Sequence, residues 1–395
     1  MRISTVTFQN DALGQMETLQ ADLSKTQNQL ATGKKLQSAA EDPAGMAQVN
    51  QLNVQLSASQ QYVTNGNAAT SNLTLEEQAL SDATNVLQSA RDLAVQANNS
   101  ALSASQRQDI AAQLSQQLQD LVAIANRTDS NGNYLFAGKA DTTQPFSQSG
   151  GSVGYFGADS VSQVQISANQ RISAGDTGSS VFMNIPAGNG TFTTSVAATN
   201  TGTASISTGT VTDPSAWVPD TYSISFSSPT QYQVTNSGGT VVSSGTFSDG
   251  DAISFKGVQV TITGTPAAGD QFTVAKAGTA SAFSTLSSLV TTLSSGTLST
   301  AQLTTQIGGA LEQVDAAITN LNNVSASVGA RLNSITSSQS SAQSIQTNLQ
   351  TSISQLSDVD YAAAITQLNT EELSLQAAQE SYASIAKLSL FNFLH

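Results

Sequence analysis

The sequence predicts a mainly α-helical protein with a β insert. The expected architecture is an antiparallel helical bundle or coiled coil, made by the N- and C-terminal arms, plus a small antiparallel β domain. Apolar residues recur at helical spacing from about Met1 to Lys139 and again from about Ala282 to His395. Between about Asp141 and Gly278 the chain is rich in Gly, Thr and Ser, and apolar residues alternate. The two arms should therefore pack on each other and project the middle outward.

The first arm opens with a predicted amphipathic helix. Its apolar residues follow at gaps of three and seven, which suits a coiled-coil-like seam: Leu13, Met16, Leu23 and Leu30. Gly33 comes just after the last of them and predicts the end of this helix. A connector from Lys34 to Gly45 follows. Within it, Pro43 predicts the first residue of a second helix, with Asp42 as its cap.

The second predicted helix is long and has apolar residues at intervals of seven: Leu73, Leu80, Leu87 and Ala94. Gly66 is the weak point within it. The pattern breaks at Asn98-Asn99-Ser100, after which Ser103 or Ser105 caps a third helix. Asn131-Gly132 then predicts a type I′ turn, and Tyr134-Leu135-Phe136 a short strand or hairpin arm.

The middle of the chain has the pattern of strands. Runs such as Tyr222-Ser223-Ile224-Ser225-Phe226 alternate with period two, and Gly238-Gly239 supplies a turn. We expect a small antiparallel β domain here. The stretch from Thr191 to Gly209 has low complexity, which predicts a flexible segment or an exposed loop.

The last arm carries the clearest helical pattern. Mostly alternating gaps of three and four make a seam over several heptads: Leu311, Val314, Ile318, Leu321, Val324, Val328, Leu332, Ile335, Ala342, Ile345 and Leu349. Asp358-Val359-Asp360 interrupts it, and Asp360 predicts the cap of a last helix. The chain ends in an apolar group that needs a covering partner, either another subunit or a chaperone: Leu388, Leu390, Phe391, Phe393 and Leu394.

The composition disfavours several classes of function. Only 10% of the 395 residues are charged, so the surfaces depend on amides and hydroxyls, which suits self-assembly or reflects a habit of the source organism. The net charge of -14 disfavours nucleic-acid binding. No run of residues is apolar enough to predict a membrane helix, and the N-terminus lacks the pattern of a secretory signal. The protein is therefore expected to be cytoplasmic or exported by a route that ignores such signals.

Catalytic, metal and cofactor sites are not predicted. The chain has no cysteine, and its single histidine is His395 at the very end. The acidic pairs Glu76-Glu77 and Glu371-Glu372 point about 100° apart on a helix, so we interpret them as solvated faces. Asp129-x-Asn131-x-Asn133 begins like a calcium loop, but it lacks the required Gly and Glu and is interpreted as a turn.

Several motifs resemble the flagellin family of bacterial flagellar axial proteins. Residues 30–36, LATGKKL, and 38–45, SAAEDPAG, are similar to its N-terminal motif. Residues 356–362, LSDVDYA, together with 375–378, LQAA, and 328–332, VGARL, are similar to its C-terminal arm. The start MRIST, residues 131–138, NGNYLFAG, and the ending SLFNFL resemble the branch at the junction of hook and filament. Residues 250–255 and 264–270 look like a module shared with hook-associated protein 1.

The resemblance implies a structural subunit of the extracellular flagellum, exported by the flagellar secretion apparatus without a cleaved signal peptide. Its implied partners are hook-associated protein 1, flagellin, identical subunits in a ring, and a cytoplasmic export chaperone at the C-terminal region. Filament flagellin and a secreted adhesin-like or glycan-active surface protein remain as alternatives.

Three regions are expected: a terminal coiled coil (1–45 and 352–395), a helical bundle (46–140 and 281–351) and an outer β domain (141–280). The terminal helices are expected to make the assembly contacts through Leu13, Met16, Leu23, Leu30, Leu368, Leu375, Tyr382, Ile385, Leu388 and Phe391.

Overall fold

The computed structural model describes residues 5–391, without the side chains of residues 5, 6, 8 and 385–391. This part of the chain folds into helices at both ends and antiparallel strands between them. The helices are α1 (Thr5–Thr32), α2 (Pro43–Ala97), α3 (Ala104–Ala125), α4 (Ala282–Ser294), α5 (Thr300–Ser357) and α6 (Tyr361–Phe391). The predicted fold class, mainly α with a β insert, is confirmed.

The strands all lie between α3 and α4, and one turn of π-helix, Ser179–Met183, interrupts them. They are β1 (Phe146–Ser149), β2 (Ser152–Tyr155), β3 (Gln163–Ser167), β4 (Gln170–Ser173), β5 (Ile185–Pro186), β6 (Phe192–Val196), β7 (Ser205–Ile206), β8 (Thr210–Val211), β9 (Thr221–Ser228), β10 (Gln231–Thr235), β11 (Val241–Thr246), β12 (Ala252–Phe255), β13 (Val258–Thr263), β14 (Gln271–Lys276) and β15 (Thr279–Ala280).

Several helices begin or end at residues whose local chemistry predicts a helix boundary. Gly33 has a φ of +68°, which ends α1 at Thr32. Asp42 accepts a hydrogen bond from the Gly45 amide at 2.9 Å and caps α2, which begins at Pro43 as predicted. Ser103, one of the two predicted candidates, caps α3 in a capping box with Gln106. Gly66 does not interrupt α2.

The chain divides into two compact units. The first is built from residues 1–64 and 338–395 and the second from 65–337. In the first unit α1 packs along α6. The C-terminal end of α1 lies beside the N-terminal end of α6, so the two helices run antiparallel.

The second unit has a helical core with a seven-residue period. The residues of α2 spaced by seven are almost fully buried: Leu73, Leu80, Leu87 and Ala94. Val314, Leu321, Val328 and Ile335 bury the matching positions of α5 in the same core. The other set of predicted seam positions, including Ile318 and Leu332, is only partly buried. One face of each long helix therefore builds this core, as a heptad pattern requires.

Strands β1 to β4 pack with the helices and not with the later strands. Phe146, Ile166 and Ile172 are buried in the helical core. Phe146 contacts Phe182 and the α4 residue Phe283 through ring pairs 5.7 and 5.0 Å apart. By composition, residues 141–280 differ from the two helical arms. By burial, however, the strands before residue 174 belong to the same hydrophobic core as the helices.

A separate core lies among the later strands. A five-stranded sheet has the order β11-β10-β9-β14-β6, and a second has the order β12-β13-β7 with β8 also beside β13. Every pairing of these strands is antiparallel. Alternate residues point inward, so Tyr222, Ile224 and Phe226 of β9 are buried.

Two local predictions are wrong. The low-complexity stretch from Thr191 to Gly209 contains β6 and β7, and Phe192 is fully buried. Thr193, Thr194 and Ser195 belong to β6 and Ser205 belongs to β7, and composition alone does not distinguish such strand residues from a loop.

The second wrong prediction is the type I′ turn at Asn131-Gly132. Gly132 has a φ of +86°, but Asn131 does not have the positive φ that this turn requires. The Gly132 amide instead donates to Asp129 O at 3.1 Å, so Ser130 and Asn131 are the central residues of a different turn. The predicted strand at 134–136 is reduced to one bridge between Thr128 and Tyr134.

Candidate assembly interface

The pair formed by α1 and α6 contains the residues predicted to make assembly contacts. Met16, Leu23 and Leu30 on α1 are half-buried, as are Leu368, Leu375 and Tyr382 on α6. Leu13 is 43% exposed. Ile385, Leu388 and Phe391 lie in the helical backbone of α6, but their side chains fall outside the described residues. The pair therefore covers most of the predicted set only partly and leaves apolar surface available.

The two helix breaks of the first unit lie side by side. The Lys35 amide donates to Ser357 O at 2.7 Å, and the Val359 amide donates to Gly33 O at 3.0 Å. Lys34 and Asp358 form an antiparallel bridge between these bonds. The two sequence motifs around residues 33 and 358 are thus partners in one structural element, which we call the arm clasp (residues 33–36 and 357–360).

An ion pair joins the two sides of the arm clasp. Lys34 Nζ lies 2.5 Å from Asp358 Oδ1, and Asp358 Oδ2 accepts from Ser354 Oγ at 2.5 Å. The hydrogen bond from Lys34, followed by those from Ser354 and Ser357, lowers the pKa of Asp358 to about 2. Both side chains are exposed to water, so the pair specifies which segments meet more than it stabilises the fold.

Acidic residues also shape the connector before α2. Glu41 Oε2 accepts from the Gln37 amide at 2.9 Å, and this bond is the main reason that the pKa of Glu41 is lowered. Lys25 on α1 lies 3.6 Å from the same carboxylate. Glu41 and Asp42, the acidic residues of the SAAEDPAG motif, therefore stabilise the folded conformation of the connector.

The sequence predicts Glu76 on a solvated helix face, and this prediction is wrong. Glu76 is only 1% exposed and lines a cavity of about 120 Å³ in the second unit. Glu76 Oε1 accepts from the Asp176 amide at 3.1 Å. Burial, and then the nearby Asp176 carboxylate, raise the pKa of Glu76 to about 9. A protonated Glu76 is the form that this environment favours.

Arg331, in the VGARL motif, holds the loop that faces Glu76. Its guanidinium pairs with Asp176 and donates to Gly175 O at 3.2 Å. The arginine side chain is mostly buried against this loop. Sequence reasoning missed Glu76, Asp176 and Arg331 as a group, because they come from three distant segments. The VGARL motif, which contains Arg331, is the sequence motif that includes a member of this group.

Neither a metal site nor a membrane segment emerges from the described residues. Over residues 5–391, His, Asp and Glu do not gather in any group of three or more suited to a metal ion. Over the same range, no helix combines the length and hydropathy needed to cross a membrane.

The fold and the pairing of its two helical ends place this chain in the class of proteins with flagellin-type helical arms. Residues 3–141 match the bacterial flagellin N-terminal helical region, and residues 311–394 match its C-terminal helical region. Residues 195–276 match the D2-like domain of flagellar hook-associated protein 1.

Solved structures point to one branch of that class. A FlgL structure from Xanthomonas campestris is 34% identical, with a TM-score of 0.72, and the match covers 77% of this chain and 99% of that one. Hook-associated protein 3 from Legionella pneumophila is 30% identical, with a TM-score of 0.74 and coverages of 78% and 98%. The chain belongs to the flagellar hook-associated protein 3 (FlgL) family.

Curated relatives match over a shorter length. Flagellar hook-associated protein 3 of Salmonella typhimurium is 32% identical over 185 residues, which is 47% of this chain and 58% of that relative. The chain thus matches somewhat more than half the length of this relative. The comparisons lend no support to the alternative of a filament flagellin.

Proposed function

We propose that this chain is a structural subunit of the bacterial flagellum that joins the hook to the flagellin filament and templates the first flagellin layer. The observation that carries the proposal is the antiparallel pair of α1 and α6, whose apolar seam is only partly covered. Similarity to FlgL from Legionella pneumophila, a flagellar junction protein, supports it. The role is structural and requires no catalytic group.

The proposed partners occupy the two sides of the junction. Hook-associated protein 1 lies on the hook side, and the similarity of residues 195–276 to a domain of that protein supports a shared design. Flagellin lies on the filament side, and identical subunits form a ring between them. Export by the flagellar apparatus to the extracellular flagellum, with a cytoplasmic chaperone at the C-terminal region, completes the proposal.

In the proposed arrangement, residues 1–45 and 352–395 form the inner tube and residues 46–140 and 281–351 the next shell. Residues 141–280 face the medium, and their early strands pack with the helices of that shell. An isolated helical pair gains little from its own burial, so contacts with neighbouring subunits should supply much of the stability of the ends.

The proposed contact residues are the apolar residues predicted on the terminal helices: Leu13, Met16, Leu23, Leu30, Leu368, Leu375, Tyr382, Ile385, Leu388 and Phe391. Partial exposure of the described members supports this choice, because a residue already sealed within one subunit cannot contact another. The exposed Leu13 extends the same set toward the outside of the pair.

A substitution in α6 tests the proposal. Leu375→Asp places a charge in the half-buried seam, so we expect cells to assemble hooks without filaments and to release flagellin into the medium. Gln376→Asp, at the adjacent exposed position, adds the same charge and should leave filaments intact. Electron microscopy and a motility assay measure both variants.

Two outcomes would contradict the proposal. Normal filaments and motility with Leu375→Asp would contradict the proposed interface. A null strain that still assembles filaments on its hooks would contradict the junction role itself.

A further inference from the structure

Three Asn-Gly pairs occur in the chain, and the structure places them in different environments. Asn65-Gly66 lies within α2, Asn189-Gly190 lies between β5 and β6, and Asn131-Gly132 lies in the loop after α3. An asparagine followed by glycine is open to a self-modification, because glycine leaves the next backbone nitrogen unshielded. The surroundings of each pair decide whether that reaction proceeds.

The reaction is an intramolecular acyl transfer. The Gly nitrogen attacks Cγ of the preceding Asn, a C–N bond forms, and the Cγ–Nδ2 bond breaks. The Gly N–H proton leaves with the amide nitrogen as ammonia, and a cyclic succinimide remains. Water then opens the ring, which yields aspartate if the Cγ–N bond breaks or isoaspartate if the backbone C–N bond breaks. The attack requires the two atoms to approach within about 3–3.5 Å.

The first pair is held by its helix. The Gly66 nitrogen belongs to the continuous backbone of α2, and Gly66 is buried. Asn65 Nδ2 donates to Gln165 O at 2.9 Å. The helical backbone and this bond keep the Asn65 side chain away from the attacking nitrogen.

The Asn189 pair is held by its side-chain oxygen. Asn189 Oδ1 accepts from the amides of Thr191 and Phe192, each at 3.0 Å. Phe192 is fully buried, which fixes these amides in place. Rotation of the Asn189 side chain toward Gly190 would break both bonds, and each bond adds to the barrier.

The third pair is the open one. Asn131 and Gly132 are both exposed, and no atom lies within 4 Å of the position that a Cβ of Gly132 would take. The Asn131 side chain contacts the Asp129 carboxylate of its own turn. The Gly132 amide donates to Asp129 O at 3.1 Å, and the other bonds that hold this turn also involve Asp129, whose Oδ1 accepts from the Asn131 and Asn133 amides. Opening one exposed turn releases both reacting groups.

We propose that Asn131 is a site of spontaneous deamidation in the folded protein, with aspartate and isoaspartate as products. Isoaspartate adds a backbone atom inside a turn where Asp129 Oδ1 accepts from the amides of residues 131 and 133, at 2.8 and 2.9 Å. The modified loop therefore loses this pair of bonds. Either product adds a negative charge to a chain that already carries -14.

Peptide mapping by mass spectrometry tests the site. The full folded chain is incubated in mildly alkaline buffer, and the amide-to-acid mass change is followed at all three pairs. We expect Asn131 to convert at least about tenfold faster than Asn65 or Asn189, a difference of about 1.4 kcal/mol in barrier. A methyltransferase specific for isoaspartate should label the peptide that contains residue 131.

Two controls keep the result interpretable. In denaturant the three pairs should convert at similar rates, because the folded surroundings are gone. Asn131→Gln, at an exposed position, should fold normally by circular dichroism and lose the fast reaction. Equal rates in the folded chain, or faster conversion at Asn65 or Asn189, would overturn the proposal.

Discussion

At the scale of single residues, Glu76 stands out as a carboxylic acid buried between a long helix and a loop. Glu76 Oε1 accepts a hydrogen bond from the Asp176 amide, and Arg331 pairs with the Asp176 side chain. Arg331 lowers the pKa of Glu76, but burial and the neighbouring carboxylate outweigh it. The group therefore holds the loop to the helix as a neutral acid.

This arrangement makes stability depend on pH in a definite direction. The folded pKa of Glu76 is about 9, above its ordinary value of 4.5, so the folded protein binds a proton that the unfolded chain releases. The stabilisation is complete below the ordinary value and is lost as pH rises through about 9. Within that window the free energy of unfolding falls with each pH unit, because unfolding releases the proton of Glu76.

Glu76→Gln should flatten this dependence, because an amide fills the same space and does not ionise. Urea unfolding of the second unit at a series of pH values, followed by circular dichroism, measures the effect. Glu372→Gln, on the exposed face of α6, should keep the wild-type profile. An unchanged slope in Glu76→Gln would show that another group carries the pH dependence.

At the scale of elements, the ends of α1 and α6 illustrate how a helix break becomes a contact. Gly33 ends α1 with a positive φ, and Asp360 begins α6 by accepting from the Ala362 and Ala363 amides at 3.0 and 3.2 Å. Backbone bonds of the arm clasp then join the two ends. This contact fixes which residues of the two helix ends lie side by side.

Gly14, within α1, and Gly33, just after its end, should respond in opposite directions to substitution by alanine. A Cβ at Gly33 would lie 2.9 Å from Tyr361 Oη in a backbone with φ of +68°, so Gly33→Ala should destabilise the first unit by about 1 kcal/mol. Gly14 lies within α1 and nothing would lie within 4 Å of its Cβ. Gly14→Ala should stabilise the helix by roughly 0.5–1 kcal/mol.

Thermal unfolding of the two variants, with amide exchange at Lys35 and Val359, measures this pair. Faster exchange is expected only in Gly33→Ala, because those amides belong to the arm clasp. If both substitutions stabilise the first unit, the left-handed backbone at Gly33 does not decide its response; if both destabilise it, the space around Gly14 has been misjudged.

At the scale of the whole molecule, the second unit contains two hydrophobic cores with no buried residue in common. One is built by α2 to α5 with the early strands, and the other by the later strands. The chain's single tryptophan, Trp217, contacts Phe192 and Tyr222 of the second core through tilted ring pairs with centroids 5.8 and 5.7 Å apart. Its fluorescence therefore reports on that core, whereas circular dichroism reports mainly on the helices.

Separate cores predict separable losses of stability. Phe226→Ala removes a buried ring that contacts Phe247 and Phe272, so the transition seen by Trp217 should lose about 3–5 kcal/mol. Leu80→Ala should instead weaken the helical transition by about 2–5 kcal/mol. Denaturation curves recorded by both signals make the comparison. Equal shifts in both signals for either variant would mean that the unit unfolds as one body.

Local patterns in the sequence were enough to predict the helices, their main breaks and the class of fold. Leu73, Leu80 and Leu87 recur at the period of a helix face, and Gly33, Asp42 and Asp360 act on backbone atoms within a few residues. The apolar stripes of the terminal helices are visible in the sequence for the same reason, whereas their role as an assembly interface stays a prediction. Low-complexity Thr and Ser segments escaped prediction, since their strands depend on neighbours.

The sequence by itself determined which segments are helical, which face of each is apolar and that both ends resemble the helical arms of the flagellin family. Only the tertiary structure decided that the motifs at residues 33 and 358 meet in the arm clasp, and that Glu76 is buried opposite Asp176 and Arg331. It also decided that the early strands join the helical core. These outcomes depend on contacts between residues far apart in the chain, which local periodicity does not encode.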